Sequence, residues 1–114
     1  MTFENETINL RLLDVLYWQD ENSDGRTNSR QFDALSLRIK SDAQFDTGNQ
    51  IIKMHDGELA YVPAGCSYTR TCTVDKMIVF HFIPDIPSDD IQIRAIRDCD
   101  YNLIYPMFHK ALME

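Results

Sequence analysis

The stretch Gly57-Glu58-Leu59-Ala60-Tyr61-Val62-Pro63-Ala64-Gly65-Cys66-Ser67-Tyr68-Thr69-Arg70-Thr71-Cys72 sets two strand-like runs around a proline and a glycine. Gly57 permits the turn that enters the first run, and Pro63 with Gly65 makes a tight corner that sends the chain back. Outward from this corner the period remains that of strands. Residues 8–16 open with two-residue alternation and contain one slip, which predicts a half-buried strand with a bulge. Residues 32–40 alternate cleanly, with Leu35, Leu37 and Ile39 on one face and Ala34, Ser36, Arg38 and Lys40 on the other. Further short strands are expected at residues 44–45, 50–54, 58–62, 67–71, 76–83 and 91–97. Turn signals lie at residues 46–49, 55–57, 63–65 and 84–90. Residues 20–30 hold no apolar side chain and read as a solvated loop.

About eight short strands spaced in this way predict a mainly β chain, a sandwich or a small barrel. The end of the chain changes period. Leu103, Ile104, Met107, Phe108, Ala111 and Leu112 recur at helical spacing, which makes one apolar stripe. Asn102 is the expected N-cap, with Pro106 in the first turn. The helix is still amphipathic at Glu114, so the native chain is expected to continue beyond it. The domain reading is a barrel over residues 1–100 and a terminal helix over residues 101–114.

Composition narrows the class. A chain of 114 residues, 44% of them hydrophobic, makes one domain with a real core. Eighteen acids against eleven Lys and Arg give a charge of −7, spread as ten against six over residues 1–57 and eight against five over residues 58–114. No basic face is left to neutralise phosphates, which argues against direct DNA or RNA binding. No run of 18 apolar residues occurs and Met1 is followed by Thr-Phe-Glu-Asn-Glu, so neither a membrane span nor a signal peptide is expected. Cys66, Cys72 and Cys99 are an odd set without C-x-x-C spacing and read as reduced thiols of a cytosolic protein. No G-x-S-x-G elbow and no phosphate-cradling glycine loop is present, and no catalytic residue is assigned.

The opening stretch resembles the second cupin motif, G-x5-P-x-G-x2-H-x3-N. Gly57, Pro63 and Gly65 match it, Tyr68 stands where the motif has His, and Cys72 where it has Asn. When residues 34–40 are laid on the first cupin motif, its Glu falls near Ala34 and its pair of His near residues 27–30. None of these positions carries imidazole or carboxylate, so no metal and no cofactor is expected. With residues 32–43 and 75–82 and the helical tail, the pattern is similar to the N-terminal cupin domain of AraC-type transcription regulators over roughly residues 8–114. The resemblance implies a cupin-type double-stranded β-helix (jelly-roll) barrel with a C-terminal α-helix. It also implies a small-molecule effector, often a sugar, a homodimer, and DNA contacts made only through a C-terminal helix-turn-helix domain outside this chain. A small cupin enzyme, such as a sugar isomerase or dioxygenase, and a stand-alone sugar-binding cupin are the other readings.

A barrel without metal must hold its ligand by apolar walls and a few polar groups on alternating strand positions. Arg38 sits mid-strand, either as a ligand contact or as a solvated Arg on the polar face. Tyr61 and Tyr68 flank the corner at Pro63 and Gly65, as ligand contacts or as rim tyrosines. Arg70 shares a face with Tyr68 and either meets the ligand or pairs with surface acids. Residues 76–82 put Met77, Val79 and His81 on one face and Ile78, Phe80 and Phe82 on the other. His81 reads a ligand there or is a satisfied core histidine. Trp18 offers a flat stacking face for a sugar, or packs. Leu103, Ile104, Met107, Phe108 and Leu112 form a dimer face or cover the sheet.

Overall fold

In a computed structural model of the chain, residues 2–3, 6–7, 10–87 and 89–114 are described. Ile8 and Asn9, with which the first expected strand opens, and Ser88, in the turn at residues 84–90, lie outside them. A short antiparallel pair, β1 (Thr2–Phe3) and β2 (Glu6–Thr7), precedes the main sheet. That sheet is antiparallel throughout and built from β3 (Leu10–Thr27), β4 (Asp33–Asp46), β5 (Ile51–His55), β6 (Leu59–Val62), β7 (Tyr68–Pro84) and β8 (Arg94–Ile96). The order is β3-β7-β4-β6-β8, with β5 also on β4. The helix α1 spans Tyr101–Met113.

The strands are fewer and longer than the sequence suggests. Residues 20–27 are strand, not loop, because β7 supplies backbone partners along the whole of β3, from Leu10 opposite Pro84 to Thr27 opposite Tyr68. Polar side chains on an edge strand keep other chains from pairing with it, so lack of apolar residues does not mark a loop there. Residues 44–45 join β4, and residues 67–71 and 76–83 join into β7. The last expected strand shortens to three residues. β5 and β6 behave as one broken strand on the second edge of β4. Arg38 N donates to Glu58 O at 2.9 Å and Gly57 N to Arg38 O at 2.7 Å across the break, where Gly57 has φ +79°.

Bulges decide which side chains share a face. The slip expected near the start of β3 is present between Leu12 and Asp14. In β4 the register shifts between Arg38 and Lys40, which brings Ser41, Ala43 and Phe45 to the face of Ala34, Ser36 and Arg38. β7 shifts near Thr73 opposite Asp42 and Ala43, so Tyr68, Arg70 and Cys72 lie on the face of Asp75, Met77, Val79 and His81. Asn22, with φ +46°, has the same effect in β3.

The sheet consequently has two apolar faces. One packs Leu37, Leu59, Ile78 and Phe80 under α1, whose Phe108 stacks on Phe80 at 4.3 Å between ring centroids. The other gathers Ala34, Phe45, Met54, Ala60, Val62, Tyr68 and Val79 from β4, β5, β6 and β7, with Ile93 just before β8, and among the described residues no helical side chain joins them. Both faces of residues 33–39 are therefore inside, and the solvated reading of Arg38 is excluded: it is 2% exposed.

The helix fills residues 101–113 of the expected 101–114, but its cap differs. Asp100, not Asn102, is the N-cap, its Oδ1 accepting from Leu103 N at 3.3 Å, and Pro106 falls in the helix interior. A carboxylate at this position satisfies a free N–H and meets the positive end of the helix dipole. Ile104, Phe108 and Leu112 pack on the sheet, with Tyr101, Tyr105 and Ala111. Leu103 and Met107 point to solvent, which removes them from the packed stripe.

Candidate functional site

This second face lines a partly open cavity of about 280 Å³, and its wall can be traced strand by strand. β3 contributes Leu16, Trp18 and Thr27, β4 contributes Ala34, Ser36, Arg38 and Phe45, and β6 contributes Val62. β7 contributes Tyr68, Arg70, Met77, Val79 and His81. Arg30, between β3 and β4, completes the wall. Seven of the eight side chains that the sequence marks out, Trp18, Arg38, Tyr68, Arg70, Met77, Val79 and His81, meet here. Tyr61 does not. It belongs to the strand β6 but on the opposite parity to Val62, and its hydroxyl donates to Asp33, whose other carboxylate oxygen takes Ala64 N at 2.8 Å. Burial and the Asp33 carboxylate both push the Tyr61 hydroxyl upward in pKa.

A chain of charges lies along one side. Asp75 is fully buried, and its Oδ2 accepts from Arg38 Nη1 at 2.8 Å and from Arg70 Nη1 at 2.9 Å. Its Oδ1 accepts from Ser41 Oγ at 3.0 Å. Arg70 Nη2 continues to Asp20 Oδ2 at 2.7 Å, which Ser23 Oγ also reaches at 2.8 Å. Ser23 and Arg70 hold the Asp20 carboxyl below its usual value. Burial disfavours the charged form of Arg38 more than Asp75 restores it, so its pKa is lowered. For Arg70 burial is outweighed by Asp20 and Asp75 together, and its pKa is raised.

The Arg38 guanidinium is incompletely used. Its hydrogen bonds to Asp75 and to Met77 Sδ, at 2.9 Å, both leave from Nη1, while the buried Nε has no partner among the described residues. The Phe45 ring lies under it, 5.1 Å from the guanidinium carbon to the centroid. Phe45 in turn meets Tyr68 edge-on at 5.1 Å. Arg30 Nη2 donates weakly to Tyr68 Oη at 3.4 Å and its guanidinium lies 4.9 Å from the Phe32 centroid. At the far side His81 Nδ1 is 2.8 Å from Asp14 Oδ1, with Phe32 edge-on at 4.7 Å.

Sequence reasoning misses Arg30, Thr27, Asp20 and Asp75. The first three fall in the run taken as a loop. Asp75 carried a usable signal, since it precedes Met77, Val79 and His81 at two-residue spacing, a lone acid in register with an apolar face.

Among the described residues no three His, Cys, Asp or Glu side chains gather as a metal shell would need. Cys66, Cys72 and Cys99 are free thiols, and burial pushes that of Cys66 up in pKa. No helix among the described residues is long and apolar enough to cross a membrane. No family model matches the chain, and no curated protein matches it either.

Proposed function

We propose that this chain is the effector-binding domain of an AraC-type transcription regulator, a cupin-type jelly-roll barrel whose interior takes a sugar or a related small polar molecule. The observation that carries the reading is a convergence. The positions that the two cupin motifs assign to metal ligands, Ala34, residues 27–30 and Tyr68, contribute Thr27, Arg30, Ala34 and Tyr68 to one cavity wall. A cupin barrel that has exchanged its metal ligands for guanidinium and phenol groups becomes a binding pocket with apolar walls and a few convergent polar groups. At about 280 Å³ the cavity falls just below the roughly 300–1,000 Å³ typical of small-molecule sites, which suits only a small ligand, of monosaccharide size or less.

In this reading the domain is cytoplasmic, works without a cofactor and is not an enzyme. It dimerises through the outer edge of α1, where Leu103 and Met107 are exposed beside a helix already packed on its sheet. DNA is bound by a helix-turn-helix segment of the full-length protein, and the effector shifts the balance between two arrangements of that segment. The test is a mobility-shift assay of the full-length protein on its own promoter region, with and without sugars and sugar acids. Effector-dependent DNA binding is expected. A full-length gene encoding no helix-turn-helix segment contradicts the proposal.

A further inference from the structure

We infer that the ligand of this cavity is a small monocarboxylate rather than a neutral sugar. The inference rests on the cavity being an effector site and concerns the charge of what fills it. Three arginines line the wall and no Asp or Glu does. The charges on Arg38 and Arg70 are balanced from behind by Asp75 and Asp20. Arg30 has no ion pair among the described residues, only the Tyr68 hydroxyl and the Phe32 ring. One positive charge is thus left facing the cavity, which suits a monoanion better than a phosphate dianion.

Hydrogen-bonding capacity points the same way. Two groups of the wall offer free donors: Arg30 gives one N–H to Tyr68 and keeps the others, and the Tyr68 hydroxyl has no acceptor of its own among the described residues. Asp75 already takes three donors and, being fully buried, does not line the cavity. A sugar brings a donor with every hydroxyl and needs acceptors in return, whereas a carboxylate only accepts, at about four lone-pair sites. Its two oxygens suit the free N–H groups of Arg30 and the Tyr68 hydroxyl, while Leu16, Ala34, Val62 and Val79 cover its carbon body.

The test uses matched pairs at pH 7, glucuronate with glucose and benzoate with benzyl alcohol, titrated calorimetrically into the protein. In at least one pair the acid binds tighter than its neutral partner by about 10- to 100-fold, the range of a hydrogen-bonded charge. Added NaCl narrows that gap. Arg30→Gln, at a partly exposed position, lowers affinity for the acid about tenfold or more and for the neutral partner by much less. The salt series on the wild type stands in for this variant if it fails to fold. Neutral members that bind as tightly as the acids overturn the carboxylate and leave the sensor reading standing. If neither member of either pair binds at millimolar concentration, the carboxylate is again overturned, and the sensor reading is decided by the DNA assay alone.

Discussion

Asp75 is the residue on which the cavity's charged side depends. A fully buried carboxylate that organises two arginines and a serine is costly to remove, because the arginines stay behind without their counter-charge. Asp75→Asn is expected to cost about 3–5 kcal/mol in urea unfolding, the range for breaking a buried pair; a cost below about 1 kcal/mol would mean that Asp20 and solvent compensate. Glu58 makes a second, pH-dependent prediction. Burial alone would raise its carboxyl, but Arg97 Nη1 at 2.7 Å from both oxygens and the His55 backbone N–H outweigh it and hold the pKa below the ordinary 4.5. A lowered carboxyl pKa adds stability above the unfolded value, and that stability is lost as pH falls through the folded one. Acid unfolding followed by circular dichroism should therefore be steeper below about pH 4.5 in the wild type than in Glu58→Gln; equal slopes contradict the role given to Arg97. At this scale the sequence shows Arg38, Arg70 and His81 as polar groups on strands, but not which faces they share. That depends on bulges near Lys40 and Thr73, and no glycine or proline stands there to mark them.

Among the elements, α1 keeps its expected span but not its expected cap. Its apolar spacing is legible, but Asp100 caps it, and Pro106 ends up inside, where its ring removes one backbone hydrogen bond. Pro106→Ala is expected to stabilise the protein by about 1–3 kcal/mol, seen as a raised Tm. An unchanged or lowered Tm would show that the packing of Tyr101 and Tyr105 needs a bend at the proline. Phe108→Ala opens the interface with Phe80 and should cost about 3–5 kcal/mol. A much smaller cost would mean that the helix is loosely docked. β3 gives the complementary lesson. Its polar second half reads as a loop because period-2 patterning reports burial, and an exposed edge strand has none to report.

At the scale of the whole molecule, the cavity is the product of long-range strand pairing. One face of the antiparallel sheet lies under α1, and side chains of β3, β4, β6 and β7 line the space on the other. The mainly β class and the terminal helix follow from strand and helix periods, and seven wall residues stand out as candidates by residue type and strand position, though the sequence leaves open which of them face inward. The long-range pairing of residues 10–27 with residues 68–84, which sets the β3 and β7 sides of the wall next to each other, leaves no local trace. Trp18, the single tryptophan, sits half exposed in the cavity wall and reports directly on its occupancy. The most direct measurement is a titration of Trp18 fluorescence with sugars and small carboxylates, run beside thermal melts of the same samples. The expected result is a saturable emission change that tracks a rise in Tm of roughly 2.7 kcal/mol equivalent at 100-fold the Kd, both absent in Arg38→Met. A ligand that raises Tm without moving Trp18 emission would place the binding site elsewhere and contradict the account.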